Sequence, residues 1–301
     1  MASARRYLSQ MIDYAGLYPP AKLSMLETAT NFDDYRRGDD RDLLGRLIVP
    51  ADRLEELGRV AQPLLPREED ADPWRLSIIA SGDLAASRQA VLEFNCSHWR
   101  GSANGHASVE SVEIAVRDKA EVAAAAAAFP EYLEIFLEIP MDSDPGPLIE
   151  SVASAGVRAK IRTGGVSPEK FPDAPSVARF IAACHLHGVK FKATAGLHHP
   201  LKGLYPLTYE TGSRVSAMFG YLNLLVAAAF IHAGLDETVA AGVLDESNAQ
   251  SLRFDDENGV EWKVHRAGTA SLDAARALLA LSFGSCSFKE PVTEARLLGF
   301  L

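Results

Sequence analysis

Short β-rich runs alternate with amphipathic or alanine-rich stretches along almost the whole chain, and few folds accept that order. A strand pairs with a parallel neighbour only through a return connection long enough to hold a helix, so the alternation predicts a parallel sheet with crossover helices. Strand candidates lie at 10–17, 47–50, 76–80, 109–116, 133–139, 159–163, 189–195 and 281–287. Helix candidates fall between them at 52–61, 83–94, 118–129, 147–155 and 176–187, with 291–300 as the last; several open on an Asp or Ser suited to N-capping. Strands and crossovers in this number predict an α/β fold of the (β/α)8, or TIM-barrel, type, with residues 1–301 as one domain. The length of 301 residues fits the roughly 250 that such a barrel takes, plus an insertion.

The alternation breaks once, between His198 and about Ala280, where the last two strand candidates are separated by far more than one crossover. This reads as an insertion between strands 7 and 8, a subdomain at 199–280, expected on the face formed by the strand C-terminal ends, as a lid or an oligomer contact. It contains the apolar run 221–231, too short to span a bilayer, and 253–264, whose Asp-Glu-Asn-Gly centre reads as a hairpin turn.

With 48% hydrophobic and 23% charged residues the chain has enough apolar content to bury a sizeable core. A net charge of -10 opposes binding to nucleic acid or to an anionic membrane, and points to a small-molecule partner. Three cysteines, Cys96, Cys184 and Cys286, are too scattered for a disulfide framework or a paired-cysteine zinc site, and no apolar stretch has the length of a signal peptide or a membrane span. The expectation is a soluble, cytoplasmic protein without membrane or nucleic-acid partners; homo-oligomer formation stays open.

Strand alternation then assigns faces. In a (β/α)8 barrel the apolar face of each strand meets the helices, which turns Asp13, Glu113, Glu134, Glu138, Lys160, Arg162, Lys190 and Lys192 inward, with Thr194. Barrel interiors are ordinarily filled with branched apolar side chains, and an unpaired buried charge costs several kcal/mol, so the cluster is either a mutually neutralising ion network or a reactive site. Lys160 and Lys192 each precede a glycine by four residues, Gly164 and Gly196, which predicts comparable layers near the C-terminal mouth. On strands about 4.8 Å apart, two ammonium groups are expected to depress one another's pKa, leaving a neutral amine of the kind imine formation requires.

At these strand ends the chain resembles deoxyribose-phosphate aldolase and its relatives among the class I, Schiff-base aldolases. The segment Ile12-Asp13-Tyr14-Ala15-Gly16-Leu17-Tyr18-Pro19 is similar to the family's first-strand signature, and Ser111-Val112-Glu113-Ile114 to the segment holding its catalytic aspartate, here a glutamate. Lys160-Ile-Arg-Thr-Gly164 resembles the motif of the imine-forming lysine, Lys192-Ala-Thr-Ala-Gly196 that of the second lysine, and Phe283-Gly-Ser-Cys-Ser287 the phosphate loop. The resemblance implies Lys160 as the imine former, Lys192 as its pKa-lowering partner, Glu113 as the proton-relay acid, and Thr163, Gly164, Gly196, Ser285 and Ser287 as phosphate contacts. It implies a carbon–carbon lyase acting on a small, sugar-like carbonyl substrate with no cofactor.

The seventh-strand motif differs in carrying His198 where the family has arginine, and Cys286 replaces a serine of the phosphate loop. A substrate without phosphate, or one with a carboxylate bound by Arg162, is therefore an equal expectation. Arg162 can alternatively hold Glu138. His198 reads as an acid–base group or substrate contact, with Asp13, Glu138 and Thr194 as further binding candidates. No metal is expected, because His198, His199, His185 and His187 form no two-histidine strand pair with a third carboxylate. Two other classes remain open: a non-covalent barrel isomerase or lyase that uses the lysines to stabilise an enolate, and a non-catalytic ligand-binding barrel.

Overall fold

The computed structural model describes residues 4–68 and 71–301. Its strands, in chain order, are β1 (Ile12–Tyr14), β2 (Leu44–Pro50), β3 (Trp74–Ile79), β4 (Ala107–Ala115), β5 (Glu134–Ile139), β6 (Arg158–Arg162), β7 (Phe191–Thr194), β8 (Gly203–Pro206), β9 (Val215–Met218), β10 (Leu252–Asp255), β11 (Gly259–Trp262), β12 (His265–Ala267) and β13 (Ala280–Ser285). Strands β1 to β7 and β13 pair in parallel and close into a barrel in the order β1-β13-β7-β6-β5-β4-β3-β2. The fold is a (β/α)8 barrel.

The helices are α1 (Met25–Arg37), α2 (Leu54–Ala61), α3 (Leu84–Ser97), α4 (Lys119–Ala128), α5 (Gly146–Ser154), α6 (Ala174–Leu186), α7 (Tyr221–His232), α8 (Glu237–Leu244), α9 (Thr269–Leu278) and α10 (Lys289–Leu297). Asp83, Asp118 and Asp173 cap α3, α4 and α6 by accepting from backbone N–H groups in the first turn. Helix α6 starts at Ala174, before the predicted 176, because Asp173 is the cap and Pro175 tolerates the first turn. Helix α1 escaped the sequence reading. Its signal was the Ser24-to-Glu27 capping box, which forms in full and compensates for a weakly apolar helix.

Expected strand ends shorten for local reasons. The first strand does not begin at Gln10, whose φ of 51° is left-handed and incompatible with extended pairing. On β5, Ile135, Leu137 and Ile139 are buried beneath the helices while Phe136 fills the barrel interior, so the period-two face assignment holds there. The described buried apolar side chains form one continuous core, and α7, apolar on every side, is enclosed by α6, α8 and α9. Among the described residues no helix is long and apolar enough to cross a membrane.

Residues 199–280 divide between the two ends of the barrel, which corrects the expectation that they sit together at the C-terminal face. The hairpin of β8 and β9 follows β7 directly and reaches the barrel mouth. Strands β10 to β12 form a separate antiparallel sheet whose Phe254 ring packs on Tyr7, just before β1, and on Phe300. That sheet lies by the N-terminal ends of the strands. The turn expected within 253–264 joins β10 to β11.

Candidate active site

Register brings the charged side chains together. Glu138 pairs with Lys160, Lys160 with Lys192, and Lys192 with Ser282 across β5, β6, β7 and β13. The side chains make a chain of alternating sign: Arg162 Nε lies 2.9 Å from Glu138, Glu138 Oε2 2.9 Å from Lys160 Nζ, and Lys160 Nζ 2.7 Å from Glu113 Oε2. Glu113 Oε1 then lies 2.6 Å from Lys192 Nζ, which is also 2.6 Å from Asp13 Oδ2. Three cations and three anions cancel, which is what lets Lys192 be wholly enclosed, with Lys160 2% and Glu113 1% exposed.

Neutral donors complete the chain. Ser77 Oγ donates to Glu113 at 2.7 Å, Ser282 Oγ to Asp13 at 2.8 Å, and the Arg46 N–H to Asp13 at 2.8 Å. Lys192 Nζ also stands 5.4 Å from the Phe136 ring centroid, within cation–π range. These supports decide protonation. Burial penalises the Lys192 ammonium, but Asp13 and Glu113 outweigh it and raise the pKa. Burial likewise pushes the Glu113 carboxyl upward, yet the two lysines prevail and hold it well below the usual carboxylate range. The expected mutual depression of the lysines is thus corrected for Lys192, because a carboxylate stands between the two ammonium groups.

Two of the inward charges belong elsewhere. Glu134, the first residue of β5, pairs with Arg46 at 2.9 Å and Arg158 at 2.8 Å at the N-terminal end of the barrel. Lys190 stands one residue before β7, on the same lower side.

Above the chain opens a cavity of about 210 Å³, and Lys160 is the lysine that lines it. Arg162, Thr194, Gly196 and His198 also line it, whereas Asp13, Glu113, Glu138 and Lys192 lie beneath as support. The loop residues expected to contact phosphate are largely engaged by the protein. Thr163 Oγ1 donates to the Ala195 carbonyl at 2.7 Å, tying the β6 and β7 ends together. Gly164 is packed against Phe171 and Gly196, where a Cβ would stand 2.6 Å from the Phe171 ring and 2.9 Å from Gly196 Cα. Ser285 Oγ lies 3.3 Å from His198 Nδ1, and Ser287 Oγ accepts from the Glu290 N–H at 3.1 Å.

The far wall carries residues the sequence reading did not assemble. His198 Nδ1 lies 3.5 Å from Glu290 Oε2 and 3.8 Å from Cys286 Sγ, and the Tyr209 hydroxyl donates to Glu290 at 3.0 Å. Burial disfavours the His198 imidazolium, but Cys286 and Glu290 favour it and prevail, pushing its pKa up to about 9. Tyr209 comes from the β8–β9 hairpin and Glu290 from the first turn of α10, so no local motif could have joined them to His198. Tyr18 also lines the cavity; its buried hydroxyl has no hydrogen-bond partner, and its pKa is raised by burial and by nearby Glu113. A signal for it existed in the Leu17-Tyr18-Pro19 segment of the first-strand signature.

Among the described residues one group, at the mouth, could hold a metal ion: single donor atoms of His199, Glu290 and Glu294 lie within 4.8 Å of one another. His199 and Glu294 already satisfy each other at 2.8 Å, and the His199 ring stacks on Tyr205. No protein-family model and no curated protein matches the chain, so what it does rests on the chemistry of this site.

Proposed function

We propose that this barrel is a class I, aldolase-type lyase in which Lys160 forms an imine with a small carbonyl substrate. The observation that carries the reading is the position of Lys160: an amine at the floor of the cavity, touching two carboxylates, one of which also touches a second, enclosed lysine. Lys160 gives up a proton to a neighbouring carboxylate and its amine adds to the carbonyl carbon. The carbonyl oxygen leaves as water, and the product is a protonated imine. That ion keeps the positive charge at Nζ, so the alternation of charges beneath it survives the reaction.

In the cleavage direction, a hydroxyl on the carbon β to the imine carbon loses its proton to a base. The bond between the α and β carbons breaks, the electron pair moves into the imine to give an enamine, and an aldehyde departs. Protonation of the enamine carbon and hydrolysis restore Lys160. Because its two oxygens contact the two ammonium groups, Glu113 can pass a proton between Lys192 and Lys160. The orphan hydroxyl of Tyr18 is free to bond the substrate oxygen, and the chemistry needs no cofactor.

A second reading, a non-covalent isomerase or lyase, draws support from the charged state of Lys192, which would stabilise an enolate electrostatically. Borohydride treatment with a panel of small aldehydes, ketones and 2-oxo acids, read by intact mass and peptide mapping, separates the two. The imine reading expects a stable adduct on Lys160 that Lys160→Ala abolishes. An adduct on another residue, or none with any carbonyl, overturns it.

A further inference from the structure

The cavity's outer end is built against anions, and we infer that the substrate's distal group is an uncharged hydroxyl rather than a phosphate or carboxylate. This names a substrate class and therefore rests on the imine reading for the other end of the molecule. Three cationic side chains line the cavity, and each is already paired: Lys160 with Glu113 and Glu138, Arg162 with Glu138 at 2.9 and 3.4 Å, and His198 with Glu290 at 3.5 Å. A phosphate brings about two negative charges and needs cations or N–H groups that are not committed.

Glu290 is the deciding residue. The N-terminal end of a helix favours a negative charge, but Glu290 belongs to the first turn of α10 and turns its own carboxylate into the cavity wall there. That carboxylate stays ionised: burial works against it, yet the contacts with His198 and Tyr209 hold its pKa down. An incoming anion would meet a like charge already bonded to His198, and the second imidazole of the wall, His199, is held by Glu294 at 2.8 Å, whereas a hydroxyl can donate to Glu290. The rest of the outer wall suits a short polyol: Tyr209 and Thr208, whose hydroxyl hydrogens go to Glu290 and Ser213, offer oxygens that accept, and Leu207 and Met218 offer carbon surface. Ser285 and Ser287 stand outside the lining of the cavity, where Ser285 Oγ contacts His198 and Ser287 Oγ accepts from the Glu290 N–H.

The test compares initial rates of borohydride trapping with acetaldehyde, DL-glyceraldehyde and glyceraldehyde 3-phosphate. Acetaldehyde has no tail and reports the imine chemistry alone. Glyceraldehyde is expected to trap faster than its phosphate by about tenfold or more, and Glu290→Gln to narrow that ratio by a similar factor. Using the ratio within each protein cancels any general loss of reactivity in the variant. Trapping of acetaldehyde with equal or faster trapping of the phosphate overturns the inference and leaves the imine reading standing. If no aldehyde traps, the imine reading fails, and the outer site is read from alkylation of Cys286 by iodoacetamide, with exposed Cys96 as internal reference. Protection of Cys286 by erythritol but not by glycerol 3-phosphate supports the inference; the reverse, or no protection by either, refutes it.

Discussion

Two ionic systems share the barrel interior, and their cations differ. At the lower end Arg46, Arg75 and Arg158 bracket Glu110 and Glu134, with contacts of 2.8 to 3.0 Å. At the upper end Lys160 and Lys192 take the same place between Asp13, Glu113 and Glu138. Guanidinium groups stay protonated at any pH the protein meets, so the lower network can only plug and orient the barrel. An amine can lose its proton and become a nucleophile. Both ends solve the same electrostatic problem of charge inside a barrel, but only the upper one uses a cation that can react, and it is the upper one that faces the cavity.

The sharpest way to break this comparison is to remove Lys192. With the chain cut, Asp13 and Glu113 face each other without a cation between them, and Lys192→Ala should cost about 3–5 kcal/mol in urea unfolding and suppress trapping at Lys160. A loss below about 1 kcal/mol would show that the acids take up protons and that the alternating chain is not what holds them.

Next in size is the pH response of the upper rim. His198 rises from 6.5 to about 9 on folding, so its contribution is fully present below pH 6.5 and is lost as pH climbs through 9. Stability should fall by roughly 2–3 kcal/mol across that window, and His198→Gln should flatten the slope. An unchanged slope in the variant would move the titration to another group. At the acid end the sign reverses. Glu113, depressed on folding, contributes above the ordinary carboxylate pKa and is lost only as pH falls through its lowered value.

The smallest effect is expected at the lower network. Arg46→Ala leaves Glu110 with Arg75 and Glu134 with Arg158, both acids part-exposed, so a loss of about 1–2 kcal/mol is expected. Trapping rates per folded molecule should not change. A large drop in trapping would mean that the two ends are coupled through Asp13, which accepts from the Arg46 backbone N–H.

How much was legible beforehand can be read from single residues. Alternation on β5 correctly turned Glu134 and Glu138 to one face, but it could not say that they serve opposite ends of the barrel, because axial height depends on where pairing begins. Glu290 carried no periodic signal at all. It reaches the cavity only because α10 follows β13 and packs beside the loop after β7. Tyr209 arrived by a hairpin in the stretch expected at the C-terminal face, but nothing in the sequence singled out this residue of it.

The sequence by itself determined the barrel and the inward charges. Hydrophobic period and capping are local properties that the chain writes residue by residue. Tertiary structure alone decided that Glu113 would stand between the lysines, that Lys160 rather than Lys192 would meet the cavity, and that a glutamate would close its outer end. Those outcomes depend on distances between strands far apart in the chain, and charges separated by a few ångströms determine protonation in a way that no spacing along the backbone encodes.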